Sequence, residues 1–119
     1  HQTSPTNKIS IYDDILKLKA NDCEALTYKA DAVLDLGEPQ WAASLCHQAL
    51  KIDTENSHAF YQLACAHTAM NQMDEAIRYL KEALSRDSYL DDIKADPALQ
   101  PLVDHDLFQD LIATVDVNN

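Results

Sequence analysis

Glycine is nearly absent, for Gly37 is the only one in 119 residues, and there are only four prolines. Turn-dense β architectures and collagen-like chains need glycine for positive φ or close chain approach, so both are excluded and an all-α chain remains. Basic residues are scarce, at 9 against 20 acidic ones, which gives a net charge of −11. Such a chain repels nucleic acid and anionic lipid, so neither is expected as a partner. No apolar run approaches the roughly 20 residues of a membrane-spanning helix, and the polar start from His1 to Asn7 lacks the apolar core of a signal peptide. A soluble, cytoplasmic chain without a membrane partner is the expectation. Cysteine is limited to Cys23, Cys46 and Cys65, an odd number at wide spacings that makes neither a disulfide framework nor a CxxC metal site and points to a reducing compartment.

What the chain does have is a repeat. Shifted by 34 residues, Ala25 falls on Ala59, Ala30 on Ala64, Ala32 on Ala66, Ala42 on Ala76, Ala49 on Ala83, Leu50 on Leu84 and Asp53 on Asp87. A period of 34 is that of helical solenoids, whose helix-pair units bury their apolar faces only by stacking. Each unit divides into two helices, roughly 24–36 with 40–52 and 57–70 with 73–85. The first break holds Gly37 and the second Asn71, the residue types that best tolerate the left-handed conformation ending a helix. Asp22 and Asn56 stand where N-caps belong, and Pro39 can open a helix where its missing N–H costs nothing. Apolar residues recur at three and four along Ala42, Leu45, Ala49 and Ile52, and along Ala76, Leu80, Ala83 and Leu84.

These residues resemble the tetratricopeptide repeat family. Residues 57–90 match it better, with Phe60, Leu63, Ala64, the run Asp74-Glu75-Ala76-Ile77, Tyr79, Leu80, Ala83 and Leu84. Residues 23–56 depart from it, with Lys29 where leucine is usual, Cys46 for a large apolar residue and Thr54 for proline; Ser88 replaces that proline in the second copy. Residues 9–22 look like the second helix of a preceding unit, with Ile11, Tyr12, Ile15, Leu16 and Leu18 on one side, and 1–8 are set aside as a lead that is disordered or foreign to the natural chain. Residues 91–119 break the repeat and resemble the closing segment of some bacterial members. There Asp96 is the expected cap of a short helix over 99–102, and Asp104 of a longer one carrying Leu107, Phe108, Leu111, Ile112 and Val115. The fold this resemblance implies is a right-handed α-α superhelix with a C-terminal capping helix.

Catalysis finds no foothold. One glycine cannot make a phosphate loop, Cys65 and His67 lie two apart on one helix and diverge, and the histidines show no zinc spacing. No enzyme, metal or cofactor is expected, and His67 reads as a near-core residue. The surface the resemblance singles out is the inner face of each unit's first helix, which in this family lines a groove for a partner's peptide or helix. It maps onto Glu24, Thr27, Asp31, Leu34 and Asp35, then onto His58, Tyr61, Cys65, Thr68 and Ala69. Asp31 and Asp35 are like charges at i, i+4, which mildly destabilise a free helix and favour a basic, partly apolar partner. The alternative is a structural or self-association role through the N-terminal helix, with the chain a monomer or weak homodimer. Trp41 falls on an outward-facing position, to be either a contact residue or, preferably, folded onto the helix end beside Pro39. Asp74 with Arg78, and Glu82 with Arg86, are expected as i, i+4 ion pairs.

Overall fold

The computed structural model describes residues 4–118. Helices carry the fold, and no strand occurs among the described residues. They are α1 (Pro5–Leu18), α2 (Cys23–Asp35), α3 (Pro39–Ile52), α4 (Ser57–Ala69), α5 (Met73–Leu84), α6 (Leu90–Ala95), a 3-10 helix (Pro97–Leu102) and α7 (Asp106–Asn118). Capping side chains set the starts: Ser4 accepts from the Asn7 amide at 3.2 Å, Asp22 from Ala25 and Asn56 from Ala59 at 3.0 Å each. Ser4 and Pro5 start α1 earlier than the sequence suggests, so Pro5–Lys8 belong to its first turns. Residues 1–3 of the anticipated lead lie outside the described residues.

The two inner turns are Schellman motifs. Glu38 N–H reaches Val33 C=O at 3.1 Å while Gly37 N–H reaches Leu34 C=O at 2.9 Å; Gln72 repeats the first bond to His67 at 2.8 Å and Asn71 the second to Thr68 at 3.0 Å. Gly37 and Asn71 take positive φ, 88° and 60°, as the reversal demands.

The helices form two layers, with α2, α4 and the 3-10 helix side by side in one and α1, α3, α5 and α7 in the other. This is an all-α solenoid of the tetratricopeptide type. One apolar cluster joins Ile9 to Leu26, Val33, Leu45, Cys46 and Leu63; a second joins Tyr61 and Cys65 to Leu80, Ile93, Leu99, Leu102 and Phe108. Ala30, Ala42, Ala49, Ala59, Ala66, Ala76 and Ala83 are fully buried, so alanine sits where helices approach most closely.

Residues after Leu90 are placed differently from the expectation. A separate helix, α6, precedes the 3-10 helix, which Asp96 caps by accepting from Ala98 at 2.9 Å. Asp104 does not cap the last helix; His105 Nδ1 does, accepting from the Leu107 amide at 3.1 Å. Phe108 is buried, Leu111 and Ile112 pack partly against the second cluster, and Leu107 is exposed. One of the two expected ion pairs also differs. Arg78 takes Glu75, one residue closer, leaving Asp74 to His105 at 3.1 Å, whereas Arg86 holds Glu82 as expected (2.7 Å) and Glu55 as well (2.6 Å). Lys29, standing for leucine, has an almost buried side chain that meets Asp13 of α1 at 2.5 Å and lies 5.3 Å from the Trp41 ring centroid. Trp41, still 41 % exposed, is therefore held by a cation rather than only by its own helix end.

Candidate functional site

The inner face of the α2/α4 layer divides into an open half and a closed half. On α2, Glu24, Asp31 and Asp35 are exposed, Leu34 is half-buried and Thr27 is buried. On α4, His58 is half-buried and Ala69 exposed, but Tyr61, Cys65 and Thr68 are buried, at 7 %, 4 % and 4 % exposure. The cause is the chain itself. Residues from Tyr89 to Leu102 lie along α4: the Tyr61 hydroxyl donates to Asp96 Oδ2 at 2.6 Å, its ring stands 5.0 Å from Tyr89, and Ile93, Leu99 and Leu102 pack into the same cluster as Cys65. Residue matching finds no repeat there, yet α6 starts at Leu90, one position short of Ser57 shifted by 34. A register count could have found it where residue matching failed.

The hydroxyls of the buried threonines serve their own helices. Thr27 Oγ1 donates to the Cys23 and Glu24 carbonyls at 3.0 and 3.1 Å, and Thr68 Oγ1 to Ala64 at 2.8 Å. An aromatic ladder crosses the other end of the face, Tyr12 to Tyr28 at 6.0 Å and Tyr28 to His58 at 5.1 Å. Gln62 Nε2 donates to His58 Nε2 at 3.2 Å, which suits a neutral ring. Burial lowers the His58 pKa, and the charge of Glu24 opposes that only in part.

Electrostatically the open half is a concentration of acids. Asp31 has a carboxyl pushed above the ordinary range, first by the walls that partly desolvate it and then by Asp35, with Asp96 adding to the effect and Lys8 opposing it. Such a group gains by meeting a cation. Nucleophilic chemistry is poorly served: burial drives the Cys46 thiol to about 12 and the Cys65 thiol higher still. Among the described residues no three histidine, cysteine or carboxylate side chains gather as metal ligands, and no helix is long and apolar enough to cross a membrane. His67 is half-buried, stacked on Tyr79 at 5.1 Å with Nδ1 bonded to Gln72 at 2.7 Å.

Paired helices at a 34-residue period, closed by Schellman turns over alanine-lined contacts, define a tetratricopeptide-type repeat scaffold, a class that works as protein-interaction modules and is generally non-catalytic. The family model described as "Anaphase-promoting complex, cyclosome, subunit 3" matches residues 1–83, and the chain belongs to that tetratricopeptide-type family. Among curated proteins it is similar to sperm-associated antigen 1 of Mus musculus, 37 % identical over 68 residues that cover 57 % of this chain and 8 % of that protein. The protein of the same name from Rattus norvegicus is 33 % identical over 69 residues, 58 % of this chain and 8 % of its own length. The chain thus spans a small part of the relatives it matches.

Proposed function

We propose that this chain binds a basic, partly apolar peptide or helix of a partner protein on the open half of its inner face. The observation that carries the reading is the pair of exposed acids Asp31 and Asp35 beside half-buried Leu34, with Glu24 further along the same stripe and the Asp31 carboxyl raised first by partial desolvation and then by Asp35. Ionised carboxylates held close together repel, and a lysine or arginine between them relieves that repulsion, so part of the binding energy comes from removing a cost already present in the free protein. Apolar contact comes from Leu34 and exposed Ala69, while His58 and the Tyr28 ring border the face. Tyr61, Cys65 and Thr68 act beneath this surface, fixing the α4 backbone and the segment over it, rather than touching the partner.

The test is a peptide selected from a random library on the immobilised chain. Asp31→Lys with Asp35→Lys should weaken its binding at least tenfold without altering the helical circular dichroism, and raising salt from 0.05 to 0.5 M should weaken the wild-type complex. Binding indifferent to both the substitutions and the salt overturns the assignment.

A further inference from the structure

Two successive junctions of the outer layer, α3 against α5 and α5 against α7, are closed differently. Tyr79 of α5 fills the first: its ring lies 6.5 Å from His47, stacks on His67 at 5.1 Å and packs against the cluster that holds Ala42 and Ala43. Shifted by 34, the α3 residues Gln40, Ala43, Ser44 and His47 become Asp74, Ile77, Arg78 and Lys81 of α5. α7 follows α5 at a shift of 32, which carries buried Ala76, Leu80 and Ala83 onto buried Phe108 and half-buried Ile112 and Val115. That register puts Leu111 in the place of Tyr79. Leucine has no ring to span the gap, and a groove of about 400 Å³ stays open, floored by Ile77, Leu107 and Leu111. One side chain of α5 is enough to close the first junction, so the opening at the second comes from the residues of its own two walls.

The groove is also marked by charge. Arg78 and Lys81, two of only nine basic residues in the chain, border it. Glu75 holds Arg78, whereas Lys81 is exposed and has no ion-pair partner among the described residues. The bond from His105 to Asp74 sets the starts of α5 and α7 side by side, so the helices run parallel and Lys81 lies at the far end beside Thr114. Asp110 stands on the opposite wall at mid-groove.

We infer that the α5/α7 groove docks a segment of a partner protein through one aromatic side chain, seated over Ile77, Leu107 and Leu111, with a single carboxylate beside it that pairs with Lys81. An aromatic ring is what closes the same place one unit earlier, and a ring brings a large apolar area at the cost of few rotors. The carboxylate belongs at the Lys81 end alone, because Asp110 and the net charge of −11 repel acids elsewhere along the segment. The same charge makes a second copy a poor occupant. No residue of this groove belongs to the inner-face peptide site, so the two surfaces stand independently.

The test titrates the full chain with two end-blocked peptides, Gly-Ser-Phe-Ser-Glu-Ser-Gly and the same residues in reverse order. A glutamate two residues from the ring reaches about 7 Å along an extended segment, close to the roughly 6 Å between Ile77 and Lys81 along α5. One order should bind, with amide shifts clustered at 77–81 and 107–114. Replacing its phenylalanine by alanine should weaken binding at least tenfold, and its glutamate by glutamine at least twofold. Lys81→Glu should reverse the charge preference, so that the peptide with lysine for glutamate binds better. Leu111→Tyr should fill the groove from within and weaken binding at least tenfold, whereas Asp31→Lys with Asp35→Lys should change it less than twofold. The wild-type shifts and the exposed Lys81 variant keep the test valid even if Leu111→Tyr misfolds. No shift at millimolar peptide, equal binding of the phenylalanine and alanine forms, a charge preference that Lys81→Glu leaves unchanged, or shifts confined to other elements each overturn the proposal. Self-association of the wild-type chain through 77–81 and 107–114 overturns it too, assigning the groove to a second copy.

Discussion

Phe108→Ala isolates what the C-terminal segment contributes. Phe108 is 7 % exposed and belongs to the cluster that holds Ile77, Leu80, Ile93, Leu99 and Leu102, so it ties α7 to the last complete unit. Burying a phenylalanine side chain is worth about 1.5–3 kcal/mol in transfer alone, and the void left by truncation raises the cost to about 3–5 kcal/mol. Against a total stability of about 5–15 kcal/mol for a small domain, that loss should lower the thermal midpoint by on the order of 10–20 °C. Leu107→Ala is the matched control: one position away and 49 % exposed, it should cost less than about 1 kcal/mol. Both are read by thermal circular dichroism and by urea unfolding with the slope held common. A Phe108→Ala midpoint within 2 °C of wild type (about 0.5 kcal/mol) would refute the packing argument and make α7 an appendage.

Gly37→Ala should cost about 1 kcal/mol through backbone strain alone, because φ is +88° and no atom lies within 4 Å of the added Cβ; a neutral result in urea would discount the Schellman turn. Asp31→Asn should stabilise the free chain by a few tenths of a kcal/mol at pH 7, since the folded state raises that carboxyl's pKa and so disfavours its charge. The gain should vanish as pH falls through the folded pKa and the wild-type carboxyl becomes neutral; equal gain at pH 7 and pH 3 would contradict this. The folded state lowers the pKa of His58, and of His47, where His67 and Lys51 assist burial, so their stabilising terms hold above the ordinary 6.5 and are lost as pH falls through the folded values. His58→Gln should therefore flatten part of the fall in stability between pH 7 and 5, measured by urea titration at each pH.

The units themselves are legible in the sequence because their signals are local. A cap three residues before an amide, a glycine or asparagine at a left-handed position and alanines at helical spacing each act within one or two turns. What the sequence left open depends on which distant segment arrives. Nothing local marks Asp96 as the acceptor of the Tyr61 hydroxyl, 35 residues away, or the Tyr89–Leu102 segment as the cover of α4. The same holds for Lys29, whose place for a leucine becomes intelligible only once Asp13 and Trp41 are seen beside it. For the inner-face residues, helical spacing assigned Asp31, Tyr61 and Cys65 to stripes, but their accessibility depends on the tail and so split them into exposed and buried sets.

The most direct test of the central claim is an amide shift map of the full chain titrated with the library-selected basic peptide. The account predicts the largest shifts at Asp31, Leu34 and Asp35 of α2, with Ala69 and His58 at the border and little change in α5 and α7. Tight binding whose shifts leave α2 untouched, or selection that returns acidic peptides, would contradict it.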